Sequence, residues 1–333
     1  MTTRPLIAFA LGDPAGISPE ITARVMADHT VSEVARVVVF GDARILRAGA
    51  ETAGLVFDHP VTRDLDEAID KSKEDPAVLD TTNCDPARVP RGDISDIGGI
   101  SASDNFRQAL ALAGSGRAKG VCFSPFNKAS MRRANPGYDD EIRFVADAIG
   151  FHGTAKEFNV LEGLWNARVT SHVPLKDVAG LLTRDSILEN LRLTDGALRA
   201  SGLARPRIAV AGLNPHAGDH GNFGTEEIDT IGPAVAAGKS EQIVCDGPFP
   251  ADTVFVRARR GDFDAVLTMY HDQGQIAMKL IGFDAGVTLL GGFPFPICTA
   301  AHGTAFDIAG KGIAAPHALA NAVALAARMA SVS

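Results

Sequence analysis

The sequence predicts an α/β fold with a largely parallel sheet. Short apolar runs rich in β-branched and aromatic residues recur along the chain, with helical stretches between them. The runs are apolar at nearly every residue instead of alternating, as strands buried on both faces require. Eight runs read as strands: Leu6–Leu11, Val37–Phe40, Gly120–Ser124, Asn159–Leu161, Ala167–Ser171, Ile208–Leu213, Ala265–Met269 and Val287–Leu290. The segments Pro19–Ala27, Ser103–Ala113, Asp140–Ile149, Ile187–Ala200, Glu226–Ala237 and His317–Met329 read as helices.

Two helix starts carry their own logic. In Ser18-Pro19-Glu20 the serine can cap, the proline suits the first turn and the glutamate complements the dipole. Ser186-Ile187-Leu188-Glu189 fits a capping box. Thr81–Gly99, rich in Asp, Pro, Arg and Gly, reads as a surface loop. A boundary near residues 125–135 is weakly marked, and the last helix is free to return to either half.

A length of 333 residues suggests about two domains, and 46% apolar with 22% charged residues is ordinary for a globular protein. With a net charge of −8 and no basic run longer than Arg259-Arg260, the sequence excludes a nucleic-acid binder. No apolar window is long enough to span a bilayer. The cysteines Cys84, Cys122, Cys245 and Cys298 are isolated, which suits buried thiols in a cytoplasmic protein.

Three histidines, His172, His216 and His271, each follow a predicted strand. Ligands of open α/β sheets bind beyond the carboxyl ends of strands, so three imidazoles there could share one divalent ion and leave open positions for substrate. Their separations, 44 residues (172 to 216) and 55 residues (216 to 271), fit no short metal motif, so hydrogen-bonded loop histidines remain the alternative. The stretch His302–Gly312 places glycines at 303, 310 and 312, where backbone N–H groups can approach a phosphate; it is no G-x-G-x-x-G fingerprint. Gly12–Glu20 joins the first strand to the first helix and brings Asp13 and a helix N-terminus forward. Lys279 stands among apolar residues eight positions after His271, and Asp252 is either a helix cap or a site carboxylate.

Together Gly12–Glu20, Ser124–Lys128, Asn214–Gly218, Gly247–Thr253, Tyr270–Gly274 and His302–Gly312 resemble the 4-hydroxythreonine-4-phosphate dehydrogenase family, within the isopropylmalate and isocitrate dehydrogenase-like fold group. The resemblance implies a two-domain α/β/α architecture with mostly parallel sheets and an interdomain cleft. Residues 1–128 with 303–333 would form a cofactor-side domain, and 129–302 a metal- and substrate-side domain with a homodimer interface near the active site. It implies NAD (or NADP) held by Asp13, Gly303, Thr304, Asp307, Gly310 and Gly312. It implies one divalent metal (Zn, or Mg, Mn, Co or Ni) on His172, His216 and His271, with His220 and His302 not ligands. Lys279 and Asp252 are the implied catalytic groups. Tyr138, Asp139, Lys279, Thr288 and Ile297 are the implied substrate contacts.

The departures bear on substrate. Where the family has Gly-His-Thr-Glu, this chain reads Gly137-Tyr138-Asp139-Asp140-Glu141; the asparagine position holds Thr288 and the arginine position Ile297. Losing an arginine removes an anion clamp. The expected reaction is therefore oxidation of a hydroxy acid's secondary alcohol with decarboxylation, on a carboxylated aromatic cis-dihydrodiol of the terephthalate type. The alternative is 4-hydroxythreonine 4-phosphate, or a threonate or erythronate 4-phosphate. In the second reading Arg143 or Arg132 replaces the clamp. A metal-dependent phosphate hydrolase would not need the His302–Gly312 loop, and a non-catalytic binding protein would not need so many site motifs.

Overall fold

The structure, a computed structural model, describes residues 4–332. The chain divides into two compact units, one running to Ala155 and resuming at Val287, the other spanning Lys156–Gly286. The expected division differs at both ends, because residues 129–155 and 287–302 pack with the first unit. The last helix also belongs there.

In chain order the first unit holds β1 (Leu6–Ala10), α1 (Ser18–Met26), α2 (His29–Val34), β2 (Arg36–Gly41), α3 (Ala43–Thr52), β3 (Val61–Thr62), α4 (Leu65–Lys71), β4 (Ala77–Asp80), α5 (Asp96–Gly114), β5 (Gly120–Phe123), α6 (Lys128–Ala134) and α7 (Glu141–Ile149). The second unit contributes β6 (Lys156–Leu161), β7 (Leu164–Arg168), α8 (Val178–Leu181), α9 (Arg184–Ala200), β8 (Ile208–Ala211), α10 (Gly232–Ser240), β9 (Cys245–Phe249), α11 (Ala251–Arg259), β10 (Ala265–Thr268) and α12 (His271–Gly282). The chain then re-enters the first unit as β11 (Val287–Gly291), β12 (Ile297–Ala300) and α13 (His317–Val332).

Strand order in the first unit is β3-β4-β2-β1-β5-β12-β11. All of these pairings are parallel except β11 with β12. In the second unit the order is β6-β7-β10-β8-β9, and only β6 with β7 is antiparallel. The central strands are buried along their whole length, which explains their unbroken apolar sequences. In the first unit Phe106 is fully buried, with Phe123, Phe126 and Phe144 packed round its ring.

Two expected caps move. Ser18 lies inside α1 and its hydroxyl donates to the Pro125 carbonyl at 2.8 Å, so it ties the helix to the loop after β5. The capping box of α9 is formed by Thr183 and Ser186, one turn before the expected pair. Gly12 is fixed by close approach: a Cβ there would stand 2.2 Å from the Ser124 carbonyl oxygen.

Candidate active site

The second unit brings two of the three histidines together. His172 lies four residues beyond β7 and His271 opens α12; their ring centroids are 5.8 Å apart. The arm to His172 is held by Thr170, whose N–H and hydroxyl both donate to the Met269 carbonyl at 3.1 and 2.8 Å. Arg168, 3% exposed, anchors its start: Nη1 donates to Asn159 at 2.6 Å, Nε to the Ser171 hydroxyl at 2.7 Å, and Nη2 pairs with Glu157. Burial pushes the Arg168 guanidinium below its usual pKa, opposed by the Glu157 charge. His271 Nδ1 is 2.7 Å from Asp272 Oδ1. That carboxylate accepts the Nδ1 proton and leaves the Nε2 lone pair unprotonated, a common arrangement around metal-ligating histidines.

His216 stands apart in an unusual loop. Pro215–Gly221 forms a tight turn in which His216, Ala217, Asp219 and His220 have φ of 54°, 52°, 42° and 56°. Side-chain-bearing residues in that region cost about 1–3 kcal/mol each and persist only where the surroundings impose them. Glu227 anchors the chain leading into this turn. Its carboxylate, on a residue 4% exposed, accepts the N–H groups of Leu213 and Asn214, both at 2.7 Å, and the Asn214 side-chain amide at 3.0 Å. Among the described residues no three His, Cys, Asp or Glu side chains gather closely enough to hold an ion. The expected three-histidine cluster is not assembled among the described residues: His172 and His271 lie side by side, and His216 stands on the loop after β8. The donor chemistry of the pair fits a divalent ion.

In the first unit the loop Gly303–Gly312 lies against α1. Ile17 N–H donates to the Thr304 carbonyl at 3.0 Å, Gly312 N–H donates to Glu20 Oε2 at 2.9 Å, and Arg24 donates to the Gly312 carbonyl at 2.8 Å. Asp307 is exposed on a short 3-10 turn, Phe306–Ile308. Beside this loop a small cavity of about 80 Å³ is lined by residues including Pro14, Glu20, Gly49, Arg91 and Gly310. A second cavity, of about 270 Å³, is lined by Arg107, Asn135, Tyr138, Asp139, Arg143 and Asp147 among others.

The family model described as "Pyridoxal phosphate biosynthetic protein PdxA" matches residues 33–326. The chain belongs to the PdxA family. A relative from Rhizobium meliloti (strain 1021), bearing the provisional name 4-hydroxythreonine-4-phosphate dehydrogenase 2, is 57% identical over 98% of this chain and 94% of its own. The solved structure of a 4-hydroxythreonine-4-phosphate dehydrogenase from Klebsiella pneumoniae superposes with a TM-score of 0.83 at 34% identity, covering 98% of this chain and 99% of that one. A terephthalate 1,2-cis-dihydrodiol dehydrogenase from Burkholderia xenovorans LB400 gives a TM-score of 0.64 at 26% identity, covering 95% of each chain.

Several expected site residues of this PdxA-family chain take different places. Ile297 is 0% exposed, facing Val121 and Leu290 across neighbouring strands; it is core, and forms no wall of a ligand site. Thr288, on β11, pairs with Thr299 and is half-buried. Tyr138 is 8% exposed and packs in the core of the first unit while lining the larger cavity; burial, with Glu141 nearby, pushes its phenol well up. Asp139 is exposed at the mouth. Asp140 is spent as the N-cap of α7, accepting the Arg143 N–H at 2.9 Å. Asp252 does not cap α11; it is exposed in the first turn. Lys279 is exposed near the end of α12, not buried among its apolar neighbours. Sequence reasoning missed Glu227, Gln273 and the loop-holding roles of Glu20 and Arg24. Each is a polar residue near a loop, and only its distant partner shows its use.

Asp13 is 0% exposed: Oδ1 accepts the Ala15 N–H at 2.9 Å, and Oδ2 has no hydrogen-bond partner among the described residues. It shapes its own turn and does not reach solvent. Burial raises its pKa above the ordinary 3.8. Protonation therefore favours the folded state, and the cost of the buried charge appears as pH rises through the raised value. Asp13→Asn keeps the bond to Ala15. It should raise Tm relative to the parent at neutral pH, with the difference vanishing at acid pH. A melting series across pH checks this; a variant less stable at neutral pH than at acid pH, relative to the parent, would contradict it.

Proposed function

We propose that this chain is an NAD-linked, divalent-metal-dependent dehydrogenase that oxidises the secondary alcohol of 4-hydroxythreonine 4-phosphate, or a close 4-phosphorylated hydroxy acid, with loss of CO2. The observation that carries the substrate class is the cavity beside Tyr138. Two guanidinium groups line it, together with the Asp139 and Asp147 carboxylates. Arg107 is engaged, pairing with Asp104 at 3.5 Å and lying 4.9 Å over the Phe144 ring, whereas Arg143 makes no ion pair among the described residues. An arginine without an internal partner, in a cavity, suits a phosphate. The expectation of a dihydrodiol loses its ground: Ile297 is core, and the relative at 57% identity bears the phosphate-substrate name.

His172, His216 and His271 are the proposed ligands of one ion, and the backbone N–H groups of Gly303–Gly312, with Asp307, the proposed contacts of the cofactor's adenosine half. When bound, a divalent ion lowers the pKa of a coordinated alcohol and the nicotinamide accepts hydride. Asp272 holds His271 in one tautomer for that role, and the Glu227-pinned turn presents His216. Lys279 is proposed to supply positive charge or a proton to the enolate left when CO2 departs, and Asp252 to act as base. A homodimer with its active site near the subunit interface completes the reading. Ile276 and Leu280, 61% and 84% exposed one turn apart on α12, give that helix an apolar face for a second copy.

The test is NAD reduction, followed by absorbance, with and without a chelator, on the parent and Asp307→Ala. Chelation should stop turnover. Asp307→Ala should raise KM for NAD about 10-fold, the worth of one charged hydrogen bond, while leaving KM for substrate unchanged. An unchanged KM for NAD would remove Asp307 from the cofactor site.

A further inference from the structure

Backbone pairing between β10 and β8 runs Ala265↔Ile208, Val266↔Ala209 and Leu267↔Val210. Beyond the last pair each strand heads toward a histidine, Met269 toward His271 and Gly212 toward His216. The next rung is made by a side chain. Gln273 Oε1 accepts the Met269 N–H at 2.7 Å, and Gln273 Nε2 donates to the Gly212 carbonyl at 2.7 Å. A primary amide offers one acceptor and two donors, so it can stand in for a peptide group and satisfy both chain ends at once. The same Met269 carries the arm to His172 through its carbonyl, which accepts from Thr170. Gly212 is held in turn by its own N–H on the Phe249 carbonyl at 2.8 Å and by the Glu227-bound residues that follow it. Gln273 thus joins the segments that bear all three histidines.

Gly274 makes this placement feasible. A Cβ on it would lie 2.2 Å from Asn166 Oδ1, so only glycine lets the first turn of α12 sit this close to β7.

We infer that Gln273 is a positioning residue for the metal centre: its side-chain amide fixes the strand ends of β10 and β8 and so sets where His271 and His216 stand. The inference rests on the metal-dependent reading above. Gln273→Glu is the discriminating change, because its carboxylate still accepts from Met269 but opposes the Gly212 carbonyl with a second acceptor. Gln273→Ala removes both bonds.

The experiment titrates the metal-free, full-length protein with cobalt(II), reading Kd and the visible ligand-field spectrum, together with kcat, KM for NAD and apoprotein Tm. Thr194→Ala, which removes a buried hydroxyl bonded to the Asn190 carbonyl on α9, is the control for general loss of stability. Gln273→Glu should raise the cobalt Kd about 10- to 100-fold, the usual effect of losing support around a ligand. It should also alter the spectrum and lower kcat with KM for NAD unchanged, while Thr194→Ala leaves the cobalt Kd and spectrum as in the parent. Should Gln273→Glu fail to fold, Gln273→Ala is held to the same readouts. A parent-like Kd and spectrum in the Gln273 variant, or equal weakening by Thr194→Ala, overturns the inference alone. A parent protein that takes up no cobalt overturns the metal reading and this inference with it.

Discussion

Replacing His271 by alanine is expected to lower kcat by about a thousandfold or more and to leave the fold intact. The imidazole is partly exposed, so its removal empties little of the core. What is lost is a nitrogen donor beside His172, with its tautomer set by Asp272. Polarisation of the reacting oxygen by a bound ion is worth several kcal/mol, and each 1.36 kcal/mol is tenfold in rate. Metal content and kcat measured together decide it, with Tm as the control. Turnover close to the parent's would remove His271 from the reaction. Asp272→Asn should cost less, about 10- to 100-fold, since it disturbs the orientation of a ligand that is still present.

The second large effect is on stability. Glu227→Ala leaves the backbone N–H groups of Leu213 and Asn214 without their carboxylate in a part-buried place, while the Asn214 side-chain amide keeps its bond to Glu226 at 2.7 Å. Each orphaned donor costs about 1–3 kcal/mol when fully buried, so for two part-buried donors a loss of about 2 kcal/mol is expected. The left-handed residues from His216 to His220 follow directly on these two anchored residues, and the turn should loosen. Denaturant unfolding measures the loss, and amide exchange at residues 213–221 localises it. Glu227→Gln keeps an acceptor oxygen for Leu213 and Asn214 and should retain much of the stability. A Glu227→Ala protein as stable as the parent would show that the turn holds itself.

The strands at the centre of each sheet were legible because burial on both faces writes itself as unbroken apolar sequence. β1, β5, β8 and β10 fall where Leu6, Gly120, Ile208 and Ala265 begin such runs. β9 was not, because Cys245-Asp246-Gly247-Pro248-Phe249 carries the residues of a turn and is only partly covered. β12 hid for another reason: Ile297–Ala300 is short and is framed by Pro294 and Pro296 on one side and glycine on the other. α12 escaped because Gly274 interrupts a helical reading, and its purpose is visible only once Asn166 stands beside it.

Candidate chemistry was read by position, from histidines following strands and glycines in His302–Gly312. Roles that depend on a partner far along the chain were not legible. Ile297 read as a substrate contact because its sequence position matched a ligand site, and its burial between β5 and β11 decides otherwise. Asp140, in the stretch that departs from the family pattern, proves to be a helix cap. Gln273 and Glu227 were given no role of their own; their partners Gly212 and Leu213 lie 61 and 14 residues away.

The central claim is a metal-dependent oxidation of a phosphorylated hydroxy acid. The most direct measurement is kcat/KM for NAD reduction with 4-hydroxythreonine 4-phosphate against that with a carboxylated aromatic cis-dihydrodiol, each with and without chelator. The account predicts a ratio favouring the phosphate by at least about 10-fold, the worth of one charged hydrogen bond to its phosphoryl group, and turnover that chelation abolishes. A ratio below one, or NAD reduction that survives chelation, would contradict it.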